Sequence, residues 1–302
     1  MRSFRLLFGL ILLGIHAAPT FSGQLFGGGF ASRRLYTINT QNGVREIQPL
    51  LTGFPQAPDF NGLAYNSSNG TLYATSFNRL PGIPARERKW GMLEIDPITL
   101  SSTVIKISYP QNYPVVDGLE YDPLRDVLWG TVPIERQLVR IDLNTATLEV
   151  AAIFPPGSLI SGLAFDPSTA TLYGVNDDGS SDDSLSSLVK INIATGSLTT
   201  VGEPGLGLGL YDLDSLAFDP LARWLYTIND GNRSNRGLWQ QLVRIDPLTG
   251  QAELVGPHEV GLTEFYQGLA FIVPEPDTIA SLVIVSICVA ARRRRHGAAI
   301  AK

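Results

Sequence analysis

At 302 residues the chain is long enough for one large domain or two ordinary ones, and its 30 Gly and 20 Pro give the turn-rich composition of an all-β protein. The formal net charge is −5, but residues 24–273 carry 16 Lys and Arg against 26 Asp and Glu, a net of −10. So acidic a domain argues against nucleic acid or anionic lipid as a partner and is compatible with neutral glycans, cations, basic proteins or solubility alone.

The chain opens with Arg2 and Arg5, an apolar run from Leu6 to Ile15, and a small, polar stretch through Ser22-Gly23. That order of basic, apolar and polar regions predicts a secretory signal over residues 1–23. Pro19 disfavours a cut after Ala18 and places cleavage near Ser22 or Gly23.

Beyond it a two-part module repeats. The first part reads GLAYNSSNGTLYA at 62, GLEYDPLRDVLWG at 118, GLAFDPSTATLYG at 162 and SLAFDPLARWLYT at 215. The second reads LEIDPITLSSTVI at 93, LVRIDLNTATLEV at 138, LVKINIATGSLTTV at 188 and LVRIDPLTGQAELV at 242. Each part has the chemistry of a β-hairpin. Alternating Leu, Ile, Val, Phe and Tyr supply strands, Asp-Pro starts a type I turn, and Thr-Gly supplies a residue able to take positive φ. Four strands at spacings of 56, 44, 53 and 53 residues predict β-propeller blades.

The remaining pieces complete one another. Leu35-Tyr36-Thr37-Ile38-Asn39 and Gln41-Asn42-Gly43 align with the second hairpin at 242–250, and Leu25-Phe26-Gly27 stands where a second strand belongs. The N-terminus thus offers three strands without the innermost, and Gly268–Ile272 at the C-terminus offers that strand alone. Joined, they predict a five-bladed propeller over residues 24–273 rather than an open β-solenoid, with no exposed sheet edge at the seam. GLAFDP…LYG repeats resemble those of secreted lactonase-like and NHL-like propellers. That resemblance implies a fold and no reaction.

One residue after this strand the character changes. Val273-Pro274-Glu275-Pro276-Asp277 precedes an uncharged run from Thr278 to Ala291, and Arg292, Arg293, Arg294 and Arg295 follow. As a helix the run would reach about 21 Å against a hydrocarbon core of about 30 Å, and the arginines favour the cytoplasmic side. Cys288, the sole cysteine, lies inside it, so the exported part has no disulfide. The proline-flanked glutamate, short apolar helix (278–291) and terminal arginines resemble the PEP-CTERM sorting signal of exported Gram-negative proteins. For residues 274–302 the resemblance implies transient inner-membrane anchoring, processing by an exosortase, and release or attachment at the cell surface or in extracellular polysaccharide matrix.

Candidate chemistry is sparse. Asn61, Asp117, Ser161, Asp214 and Gln267 each precede an innermost strand, one per blade, so fivefold geometry predicts a polar ring about the axis. Such oxygen donors suit sugar hydroxyls or a Ca²⁺ held by Asp117, Asp214 and Asn61, while strand-end capping explains them as well. Asn176–Asp183 is acid-rich but lacks the EF-hand spacing, which reads as a solvated loop, and Asn229–Asn232 is its equivalent in the next blade. Gly27–Gly29 and Gly205–Gly209 precede no helical pattern or P-loop lysine and read as flexible turns. Trp129 and Trp224 sit where Tyr73 and Tyr173 predict blade core, whereas Trp90 and Trp239 lie in variable loops.

Between signal and tail stands a single histidine, His258, in a loop without a nucleophile-elbow motif, so multi-histidine zinc sites are excluded and a Ser-His-Asp triad has little to build on. The expectation is an exported, non-enzymatic binding or scaffold module engaging a glycan or surface protein. The alternative is a secreted hydrolase or lactonase-like enzyme with Ca²⁺ in the channel. A third reading is a protein-interaction platform acting through the loops at 78–91 and 230–240.

Overall fold

A computed structural model describes residues 23–29, 34–52, 59–77, 90–106, 115–144, 147–177, 185–210, 213–229, 241–256 and 266–273. Residues 1–22, where a leader is expected, and 274–302, where a sorting tail is expected, lie outside the described residues. Among the described residues no helix is long and apolar enough to cross a membrane.

Twenty strands among the described residues form five four-stranded antiparallel sheets. Strands β1 (Gln24–Gly29), β2 (Leu35–Ile38) and β3 (Arg45–Ile47) come first. Blade I holds β4 (Asp59–Asn66), β5 (Thr71–Phe77), β6 (Trp90–Ile95) and β7 (Ser102–Lys106). Blade II holds β8 (Leu119–Asp122), β9 (Val127–Val132), β10 (Gln137–Asp142) and β11 (Thr147–Ile153). Blade III holds β12 (Leu159–Asp166), β13 (Thr171–Asp177), β14 (Ser187–Ile191) and β15 (Leu198–Val201). Blade IV holds β16 (Ala217–Asp219), β17 (Trp224–Asn229), β18 (Gln241–Ile245) and β19 (Ala252–Val255). The last strand, β20 (Tyr266–Ile272), pairs with β1 from Gln24↔Ile272 to Gly29↔Tyr266 and completes the closing blade, in the order β20-β1-β2-β3. The chain is a five-bladed propeller closed by its own two ends, as the complementary half-blades predict.

The turns form as their residues require. Asp122, Asp166 and Asp219 fold their carboxylates onto turn amides, with Asp219 Oδ1 accepting from Leu221 N at 2.8 Å and Ala222 N at 3.0 Å. In the outer hairpins Gly250 takes φ 73°, and Leu100, standing where that glycine belongs in blade I, is held at φ 56°. Gly205–Gly209 is indeed a turn, with a 3-10 segment at Pro204–Gly207. Gly27–Gly29, in contrast, are part of β1 and not a turn. A Cβ on Gly28 would stand 2.7 Å from the Phe60 Cβ of blade I, so that glycine lets two sheets approach where a loop was expected.

The apolar side chains sort into five clusters, one at each blade interface. Tyr73 and Met92 meet Leu119 and Val139 between blades I and II, and Trp129 meets Leu163 and Phe165 between II and III. Trp129 is core, as its position predicts, and Trp224 packs half-buried against the cluster between blade IV and the closing blade. Each fully buried large side chain contributes roughly 1.5–3 kcal/mol, which lets a closed ring of blades stand without a disulfide.

At the axis the packing is tighter still. A Cβ on Gly62 would lie 2.3 Å from Asp117 O, on Gly118 2.9 Å from Ser161 O, on Gly162 2.7 Å from Ser215 C, and on Gly268 2.9 Å from Leu63 N. Neighbouring innermost strands therefore touch backbone to backbone. The glycine that opens each repeat is set by this collar. Blade IV carries Ser215 there instead, 1% exposed.

Candidate functional site: an axial channel with two mouths and a cleft between blades

The polar ring stands just before the innermost strands, at one mouth of the axis. Asn61 Nδ2 donates to Asp117 Oδ1 across the boundary of blades I and II, at 3.2 Å. Ser161 Oγ donates to Leu213 O at the boundary of III and IV, at 2.9 Å. Burial pushes the Asp117 carboxyl up to about 6, against the opposing hydrogen bond from Asn61. Asp214 lies half-buried beside Ser215, and Gln267 lies in β20. The structure thus brings Asn61 and Asp117 together and turns Ser161 onto main chain. Among the described residues no group of three or more His, Cys, Asp or Glu could hold a metal ion.

The loop candidates lie largely outside the described residues: Asp178–Asp183, Asp230–Asn232, Trp239 and His258 all do. Of their described ends, Asn176 Oδ1 accepts from Leu159 N at 3.0 Å and Asp177 Oδ1 from Ser186 Oγ, both structural contacts.

A larger feature lies between blades I and II, on the side where the first hairpins turn. It is a cleft of about 490 Å³, lined by Asn66, Asn69, Tyr73 and Glu94 on one wall and by Tyr121, Asp126, Arg140 and Asp142 on the other. Its groups are linked in short chains. Asn69 Nδ2 donates to Tyr73 Oη at 3.4 Å, and Tyr73 Oη to Glu94 Oε1 at 3.4 Å. Tyr121 Oη donates to Asp126 Oδ1 at 2.8 Å and lies 2.9 Å from Ser68 Oγ. Arg140, the one cation in the lining, is paired with Glu149 at 2.9 Å.

The equivalent positions of blades III and IV differ from those of this cleft. There Arg223 reaches back to Asp166 with both terminal nitrogens, at 2.8 and 2.9 Å, and also donates to Ser168 Oγ. Asp166 corresponds to Asn66, and Arg223 to Asp126. Asn66 turns its oxygen onto Ser68 N at 2.8 Å, and Asp126 has no guanidinium with which to span the gap. The strap that ties III to IV is therefore missing between I and II, where the cleft lies, and also between II and III, whose pair is Asp122 and Ala170. Sequence reasoning missed this site. Its signal lay in comparing two columns of the repeat, Asp with Arg in blades III and IV and Asn with Asp in blades I and II.

The opposite mouth of the axis lies where the innermost strands end. A pit of about 80 Å³ is lined there by residues of all five innermost strands, and Val273 lies on its wall.

No family model matches the chain, and no curated protein matches it. Solved structures do. A chain from the crystal structure of a nidogen/laminin complex matches at 12% identity and a TM-score of 0.49, over 83% of this chain and 98% of that one. A protein of unknown function from Bacteroides caccae matches at 15% identity and a TM-score of 0.54, over 84% of this chain and 100% of that one. Likeness at such identity concerns the fold alone.

Proposed function

We propose that this chain is an exported, non-enzymatic binding module that holds a neutral glycan segment in the cleft between blades I and II, at the cell surface or in extracellular polysaccharide matrix. The open cleft carries the reading. Amides, carboxylates and phenols on facing walls suit vicinal hydroxyls. The carboxylates of Glu94, Asp126 and Asp142 outnumber Arg140 in the lining, which disfavours phosphate or an acidic polymer. The basic-apolar-polar leader and the PEP-CTERM-like tail support export, exosortase processing and transient inner-membrane anchoring. Val273, the residue before the expected tail, lies on the wall of the axial mouth, so an anchor there would hold the propeller close to the membrane until cleavage.

Glycan-array screening of residues 24–273 tests the binding reading, with retention of neutral oligosaccharides as the expected result. An empty array would sink it. Mass spectrometry of the native C-terminus tests the sorting reading, for which a chain ending between Val273 and Thr278 is expected. For the alternative of a Ca²⁺-dependent hydrolase, the adjacency of Asn61 and Asp117 is the supporting observation. Calorimetric titration with Ca²⁺, wild type against Asp117→Ala/Asp214→Ala, tests it, and equal heats would remove it.

A further inference from the structure

The fourth position of each innermost repeat is aromatic: Tyr65, Tyr121, Phe165, Phe218 and Phe271, one from each blade, together line the axial pit. The third position is alanine in four strands, at Ala64, Ala164, Ala217 and Ala270, and all four are buried. In β8 it is Glu120, which also lines the pit. Innermost strands pair on one side only, so their other edge faces the axis. The Glu120 carboxylate accepts there from Tyr121 N at 3.1 Å and from the main-chain N–H of Phe165 in the next blade.

The carboxylate has no counter-ion in the pit lining, which holds neither Lys nor Arg. The neighbouring Arg125 is drawn to Asp122 at 2.6 Å, and Arg223 to Asp166 at 2.8 Å. Burial pushes the Glu120 carboxyl well above the usual carboxylate range and the nearby Asp122 adds to this, while the two main-chain hydrogen bonds oppose it. A glutamate where the other blades carry alanine is thus held at the axis against its own burial.

We propose that the axial pit is a binding site for a small alkylammonium group, with the Glu120 carboxylate as counter-ion and the five aromatic residues as its wall. An anion is excluded by the carboxylate. A hard metal ion wants six or more oxygens, and this wall is mostly aromatic and proline. An alkylammonium presents a charge to Glu120 and apolar surface to the rings, which attract cations through their faces. The volume, about 80 Å³, suits a methylammonium-sized group. This site shares Tyr121 with the wall of the glycan cleft, but neither Glu120 nor Phe165 lines that cleft.

Saturation-transfer NMR on the full chain tests the proposal, with methylammonium as probe and methanol, its neutral analogue, as control. Glu120→Ala restores the residue of the other blades and is expected to fold. Glu120→Gln keeps an acceptor for both main-chain donors without the charge, and Phe165→Leu keeps the charge while removing one ring. The expected result is saturable binding of methylammonium but not of methanol, weakened at least about tenfold in both Glu120 variants and less in Phe165→Leu. Absence of binding in the wild type, equal binding of methanol, or undiminished binding by a folded Glu120 variant would each overturn it.

Discussion

Arg223 grips Asp166 across the boundary of blades III and IV with two nearly parallel hydrogen bonds, 2.9 and 2.8 Å long. The Asp166 side chain is 1% exposed, whereas that of Arg223 is 42% exposed. Burial pushes the Asp166 carboxyl up, but the bonds from Arg223, Thr169 and Ser168 outweigh it and hold the group below its usual range. Arg223→Ala leaves this carboxylate buried and short of its cation. The expected loss is about 1–3 kcal/mol, reduced from the full cost of a broken buried pair because the arginine is half in water. Urea unfolding of Arg223→Ala and Asp166→Asn/Arg223→Ala measures it, and the double variant should recover part of the loss. The sign with pH is fixed by the lowered pKa. The stabilisation is present above the ordinary carboxylate value and lost as pH falls through the folded one, so Arg223→Ala should unfold at higher pH than the wild type in acid.

If that bridge closes the groove between blades III and IV, its transfer should close the cleft between I and II. Asn66→Asp with Asp126→Arg installs the same pair at the equivalent turn positions. Asp126 and Arg223 share positive φ, 53° and 65°, so the backbone at 126 already has the required form. The double variant is expected to fold with unchanged or raised stability and to lose binding of any glycan the array identifies. Retained binding would place the glycan site elsewhere on the propeller.

Much of this architecture is written locally. Asp-Pro turns, Thr-Gly turns and the alternation of β-branched and aromatic residues each act within a hairpin, so the blades and the split closing blade can be read off the chain. What acts between blades is harder to see. Asp166 and Arg223 are 57 residues apart, and neither is unusual alone. Gly27–Gly29 read as a turn because no helical pattern or P-loop lysine follows them, until Phe60 explains why a strand there must be bare. Glu120 was open to view as a glutamate in an alanine column. Only the shared axis gives that substitution a meaning.

The glycine collar makes a sharp prediction about packing. A Cβ on Gly162 would meet Ser215 C at 2.7 Å, Leu216 N at 2.8 Å and Ser215 Cα at 3.0 Å, all main chain of the next blade's innermost segment. No rotamer change can relieve such a contact, so blades III and IV must separate. Gly162→Ala is expected to cost about 1–3 kcal/mol or more, whereas Ser215→Gly, which restores the residue of the other blades, should cost less than about 1 kcal/mol. Thermal unfolding of the two variants decides it, and equal effects would mean that the collar is looser than its geometry.

Asp117 gives the opposite pH dependence to Asp166, and the sign follows from the direction of its shift. Its pKa rises from 3.8 to about 6 on folding, chiefly because burial disfavours the charge. Between these values the folded chain keeps a proton that the unfolded chain has lost, so stability falls as pH rises through this window and is flat above it. The full penalty at neutral pH is at most about 3 kcal/mol. Asp117→Asn keeps the size of the side chain and an acceptor for Asn61 Nδ2 but cannot ionise. It should therefore be more stable than the wild type at pH 7, by about 1–3 kcal/mol, and the advantage should vanish near pH 4. Urea midpoints of both proteins at several pH values measure the difference, in which the acid loss from Asp166 cancels because both share it. A difference independent of pH would mean that Asp117 ionises freely at the mouth of the axis.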